Sequence, residues 1–267
     1  MNHSLNQYLG NVVGIFDSGV GGTSIWKEVV KMLPHESTLY LADSANAPYG
    51  EKSREEILRL SIKNTELLLE KGSKIIVVAC NTATTNAIDY LRENYHVPFI
   101  GIEPAIKPAA FHTKTKKVGV LATKGTLSSS LFHNTSKLFA EGITVVEQEG
   151  KGLVELIESN KVYSTEMREL LATFLDPMLE QQIDCLVLGC THYPYLIPVL
   201  KEMLPNNVTI IDSGEAVARQ TKAILEQNGL LAPETNHPKY TLYTNKNVDI
   251  LKSFVDGPDC EVSYLDF

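Results

Sequence analysis

The stretch KIIVVACNTATT (residues 74–85) decides the fold. Its first six residues form an apolar run of strand length without polar alternation, as expected for a strand covered on both faces. Cys80 stands just past that run and opens a Thr-rich turn, and a helical pattern follows near 82–94. The same order returns 110 residues later, where CLVLG (185–189) leads to Cys190 and then THYPY (191–195). Ahead of the first stretch, VVGIF (12–16) precedes DSGVGG and a helix near 22–33. STLYLA (37–42) precedes the polar loop DSANAPYGEKS and a helix near 53–71, and VPFIGI (97–102) closes the series.

A second series then begins. KVGVLA (117–122) precedes TKGT and a helix near 126–141. ITVVE (143–147) precedes a helix near 152–158, and a helical stretch at 164–181 leads into CLVLG. VTIID (208–212) and a helix near 214–228 follow, then strand, short helix and strand to the end. VVGIFDSGVGG aligns with KVGVLATKGT at an offset of 105 residues. The expected fold class is therefore α/β, with two similar parallel-sheet domains related by pseudo-symmetry and the active site in the cleft between them. IEPAIKPAA (102–110) is the expected crossing out and IIDSG (210–214) the crossing back. The first domain is expected to span 11–103 plus 212–267, and the second 104–211.

The net charge of −8 argues against nucleic-acid and anionic-membrane partners, which need clustered Lys and Arg. It leaves room for a small anionic substrate held by backbone N–H groups. No apolar run approaches the about 18 residues of a membrane helix. The N-terminal MNHSLNQYLGN lacks the pattern of a secretion signal, so a cytoplasmic location is expected. There Cys80, Cys185, Cys190 and Cys260 should be thiols. No C-x-x-C pair occurs, and a Cys-x-His half-site at 190–192 has no second pair, so no metal is expected.

Cys80 and Cys190 each end a strand and open a helix, where ligands bind in parallel sheets and where a thiolate is favoured. Racemisation removes a proton from one face of a carbon and returns one to the other. Two like groups from two like half-sites meet that need, whereas one cysteine with one histidine suggests acyl transfer. A thiol needs only a modest depression from its ordinary pKa of ~8.5 to work near neutrality. Cys185 and Cys260 read as structural.

Asp17 and Ser18 begin a glycine-rich turn that can cradle an anion or cap a helix, and Asp17 could orient or help deprotonate Cys80. His192 could poise Cys190 or contact the substrate. Glu155 is the candidate partner of His192. Pro48, Tyr49 and Gly50 form a candidate pocket wall, and Asn81, Thr82, Thr123 and Thr191 are candidate donors to a carboxylate. Apart from Lys124, in a different setting, no lysine stands at a strand-end motif where a pyridoxal Schiff base would form.

Together FDSGVGG, APYG, VACNTATT, IGIEPAIKPA, VGVLATKGT and LGCTHYP, from about residue 12 to 219, resemble the glutamate racemases of the aspartate/glutamate racemase superfamily. The resemblance implies two α/β domains, no cofactor, and Cys80 and Cys190 as the proton donor and acceptor. Asp17, His192 and Glu155 would assist them. Asp17, Ser18, Tyr49, Gly50, Asn81, Thr82, Thr191 and His192 match positions that bind glutamate. It further implies D-glutamate for peptidoglycan synthesis and leaves a homodimer open. This chain has Asn46 and Thr23 where many members have arginine and leucine. Aspartate racemase or another two-cysteine isomerase is the sibling reading, and a two-lobed small-molecule binding protein is the alternative of another class.

Overall fold

The computed structural model describes residues 10–139, 142–255, 257 and 259–267. Residues 1–9, most of the stretch examined for a secretion signal, lie outside them. So do 140 and 141, the end of the helix expected near 126–141.

Ten strands are described: β1 (Val12–Asp17), β2 (Ser37–Ala42), β3 (Ser73–Val78), β4 (Phe99–Gly101), β5 (Lys117–Ala122), β6 (Thr144–Glu149), β7 (Cys185–Gly189), β8 (Thr209–Ile211), β9 (Tyr240–Thr244) and β10 (Cys260–Tyr264). They form two sheets in the orders β10-β9-β2-β1-β3-β4 and β6-β5-β7-β8. Each recorded pairing is parallel. The order second-first-third-fourth thus occurs twice, and this is the structural form of the sequence repeat. Only the first sheet carries two further strands on its edge.

Unbroken apolar strands follow from burial on both faces. In β3, Ile75 and Val77 belong to one core cluster, while Ile76 and Val78 belong to another on the opposite face. The first of these clusters also runs into the second sheet's layer at Leu153, Leu156, Tyr193 and Leu196, so the two domains share packed core. The chain crosses back after β8 into the helix Gly214–Gln227, whose Val217, Ala218 and Leu225 pack with Ile25, Trp26 and Val29 of the helix Thr23–Met32.

Two expected helices are broken. The one near 126–141 divides into Lys124–Leu127 and Ser130–Phe139. Ser129 causes the break, because its hydroxyl donates to Thr126 O and accepts from Phe132 N–H. The one near 195–203 starts as a tight turn at Tyr193–Leu196 and becomes α-helical at Ile197–Met203.

In each sheet the chain leaves the first strand on one side and takes its third on the other, which opens a crevice at their carboxyl ends. Asp17 ends β1 and Cys80 follows β3. Ala122 ends β5 as Asp17 ends β1, Thr123 follows β5 as Ser18 follows β1, and Cys190 follows β7.

Candidate active site

The two crevices face each other across one small cavity. Ser18, Pro48, Tyr49, Gly50, Cys80, Asn81 and Thr82 line it from the first domain. Thr123, Cys190, Thr191 and His192 line it from the second, with Val154 and Gly189. Asp17 and Glu155 do not line it. The two sulfurs therefore open on the same space, and neither residue is more than 7% exposed.

Cys80 is the N-cap of the helix Asn81–Asn94. Its Sγ accepts from Ala83 N–H at 3.4 Å and lies 3.7 Å from Ser18 Oγ. Helix position alone predicts an acidified thiol. Here burial and the negative charge of Asp17 push the Cys80 thiol well up, and the Ala83 N–H and Ser18 contacts do not offset them. The shift is upward, where helix position by itself favours a lowered pKa.

Asp17 acts on Cys80 by charge, while its oxygens serve other donors. Oδ2 accepts from Gly22 N–H at 2.9 Å and Gly19 N–H at 3.2 Å, and Oδ1 accepts from Thr191 Oγ1 at 3.2 Å. The carboxylate folds the glycine turn and ties the two half-sites together. Burial raises its pKa, against the lowering effect of His192 and the Gly22 N–H. Ser24 Oγ donates to Thr191 O at 2.9 Å and adds a second tie. Thr23 shares a hydrogen bond with Tyr195 of the other domain.

Cys190 has a different neighbour. His192 Nδ1 lies 3.8 Å from its Sγ, and His192 Nε2 lies 2.8 Å from Glu158 Oε1. Glu158 Oε1 also accepts from Val20 N–H of the first domain at 2.8 Å. Burial of the ring, 1% exposed, disfavours imidazolium, yet the bonds to Cys190 and Glu158 outweigh burial and raise the His192 pKa well above its usual value. Burial would raise Glu158, and His192 and the Val20 N–H pull its pKa below the usual carboxylate range instead.

The carboxylate on His192 is thus that of Glu158, not the expected Glu155. Both lie on the helix Leu153–Glu158, one turn apart. Glu155 instead borders the two clefts beside the cavity, sharing one with Glu158. The i,i+3 pair of acids was the only signal for Glu158, and that spacing cannot choose between them.

The candidate donors divide by what already holds them. Thr123 caps Lys124–Leu127 and its hydroxyl lies 2.9 Å from Thr82 Oγ1, a contact between domains. Both ends of the Asn81 side-chain amide are buried with no hydrogen-bond partner among the described residues. A buried amide left in this state is costly unless a ligand completes it. Gly50 packs against Thr123 so closely that a Cβ would meet its Cβ at 2.9 Å. The Tyr49 hydroxyl is turned to Asp43 and Asn64, so the residue borders the cavity without offering that group to it.

A family model described as Asp/Glu/Hydantoin racemase matches residues 17–221. A glutamate racemase of Herpetosiphon aurantiacus is 47% identical over 224 residues, which are 84% of this chain and 88% of that protein. The glutamate racemase isoform RacE1 of Bacillus anthracis superposes with a TM-score of 0.85 at 33% identity, over 96% of this chain and 97% of that one. The Escherichia coli glutamate racemase, solved with L-glutamate and the activator UDP-MurNAc-Ala, gives 0.83 at 33% identity over 96% and 98%. Two cysteines lining one cavity, a duplicated parallel sheet and matches over most of the length agree: this chain belongs to the Asp/Glu/Hydantoin racemase family.

Proposed function

We propose that this chain interconverts L- and D-glutamate by deprotonation and reprotonation at the α-carbon, with Cys80 and Cys190 working from opposite faces. The observation that carries the reading is that these two thiols, placed alike in two like half-sites, line one buried cavity. One sulfur, as thiolate, takes the α-proton. The C–H electron pair stays on the carbon, next to the carboxylate. The other thiol then delivers its proton to the opposite face and is left as thiolate. Reversal exchanges the two roles.

The surroundings suit that cycle. Burial and Asp17 raise the Cys80 pKa, which favours its proton-donating form. On the other side His192 Nδ1 stands 3.8 Å from Cys190 Sγ, and its bonds to Cys190 and Glu158 raise its pKa, so it can exchange a proton with that thiol. Asn81 offers both a donor and an acceptor to a substrate. The N–H groups of the first turn after Cys80 suit its α-carboxylate. Asp17 and Thr191 keep the two half-sites in register. A two-lobed binding protein would leave both thiols and His192 without a task.

We assign residues 11–103 plus 212–267 to the first domain and 104–211 to the second, since each recorded strand of each sheet falls in its own span. We place the enzyme in the cytoplasm, where D-glutamate would enter peptidoglycan synthesis. None of the four cysteines forms a disulfide among the described residues, and no described helix is long and apolar enough to cross a membrane. A homodimer rests on the family resemblance alone.

The test is incubation with L-glutamate in deuterated water without added cofactor. D-glutamate carrying an α-deuteron is expected, and none from Cys80→Ala or Cys190→Ala. Near-normal turnover in either variant refutes the two-thiol assignment.

A further inference from the structure

Asp43, one residue past β2, is fully buried and carries more polar contacts than any group needs for solvation alone. Its Oδ1 accepts from Asn245 Nδ2 at 2.6 Å, Asn46 Nδ2 at 2.7 Å and Lys63 Nζ at 3.3 Å. Its Oδ2 accepts from the Tyr49 hydroxyl at 2.5 Å and from Asn64 Nδ2 at 3.5 Å. Its backbone N–H donates to Asp17 O at 3.0 Å, and so continues the ladder between β1 and β2. One carboxylate thereby gathers the start of the loop 44–51, the end of that loop, the helix Arg54–Glu70 and the residue after β9.

Of these partners Tyr49 lines the cavity, and Asn46 and Asn245 hold the loop that carries it. Tyr49 is held by its hydroxyl, which leaves the main chain of 48–50 against the cavity and Gly50 against Thr123. Asn245 also accepts from Ala45 N–H at 2.8 Å, so it grips the loop directly and through Asp43. Asn245 follows β9, one of the two strands that the first sheet has and the second lacks. Asn46, within the loop itself, spends its amide on Asp43.

We infer that Asp43 is a positioning residue for substrate binding: through Tyr49, Asn46 and Asn245 it fixes the Pro48-Tyr49-Gly50 wall, and the added strand β9 is there to brace it. The substrate then meets the main chain of this loop and not the Tyr49 hydroxyl. The inference rests on the proposed glutamate racemisation and specifies how that site holds its substrate. A wall out of place weakens binding while the thiols and His192 stay where they are, so KM rises and kcat is spared.

The test compares Tyr49→Phe, Asp43→Asn and the double variant, each checked for folding by circular dichroism and thermal melting. Asp43→Asn turns an amide donor toward the Asn245, Asn46 or Tyr49 donors. It is expected to raise KM for both enantiomers about tenfold, with kcat within about threefold. Tyr49→Phe, which keeps the ring packing, is expected to raise KM by about threefold to fivefold. The double variant should be no worse than Asp43→Asn alone, because both remove the same bond. Unchanged KM in Tyr49→Phe, additive losses in the double variant, or a fall in kcat as large as the rise in KM overturns the inference. If Asp43→Asn does not fold, Tyr49→Phe decides alone. Failure of the racemase reading itself is separate, since it appears as no turnover in the unaltered enzyme.

Discussion

Gly21→Ala isolates His192 without altering any ionisable group. Gly21 lies in the turn after β1, and a Cβ built there would stand 2.3 Å from Nδ1 and 2.5 Å from Cγ of His192. Ordinary contact begins at 3.4 Å, so the imidazole must retreat by about 1 Å. That retreat loosens its 3.8 Å approach to Cys190 and its 2.8 Å bond to Glu158. A displacement of this size at a reacting group costs on the order of 100-fold, about 2.7 kcal/mol in the barrier. L- and D-glutamate have equal free energy in water, so kcat/KM must fall by the same factor in both directions. The two kcat values are free to separate. Optical rotation followed from each pure enantiomer measures both. Overpacking costs about 1–3 kcal/mol of stability, a drop of several degrees in Tm that leaves the variant folded at 25 °C. A folded Gly21→Ala enzyme with kcat/KM within threefold of the unaltered one refutes the reasoning, because the ring would then yield without consequence.

Glu158→Gln should lower kcat/KM about tenfold and by more than Glu155→Gln does, since only Glu158 bonds His192. Its loss also lowers the pH at which His192 gives up its proton, so the alkaline limb tied to that group in the pH–rate profile moves down. Asp184 offers a stability test. Burial would raise its carboxyl, but the Thr113 hydroxyl and the Thr115 and Lys114 N–H groups hold it down at about 2. A depressed folded-state pKa contributes stability above the unfolded value of 3.8 and loses it as pH falls toward 2. Urea titrations of Asp184→Asn should show a deficit of about 1–2 kcal/mol at pH 7 that shrinks below pH 4. A crystal structure with bound glutamate should place the two sulfurs roughly 7–8 Å apart with the α-carbon between them, each contact being ~3–3.5 Å. Sulfurs opening on separate spaces would end the proposal.

Much was legible in the chain. The apolar runs IIVVA (75–79) and LVLG (186–189) read as strands covered on both faces, and a cysteine just past each of them falls at the ligand-binding edge of a parallel sheet. Those are local consequences of side-chain pattern and chain direction, and the pairing of Cys80 with Cys190 followed from their repetition. Three things were decided by packing between distant segments. The His192 partner is Glu158, because helix rotation against the second domain turned that one of two acids toward the ring. Cys80 is pushed up where its helix position favoured acidity, because burial beside Asp17 outweighs one N–H and one hydroxyl. The Tyr49 hydroxyl turns to Asp43 because a carboxylate buried without solvent must collect donors from wherever the chain brings them, and neither the identity nor the reach of those donors is written in local spacing.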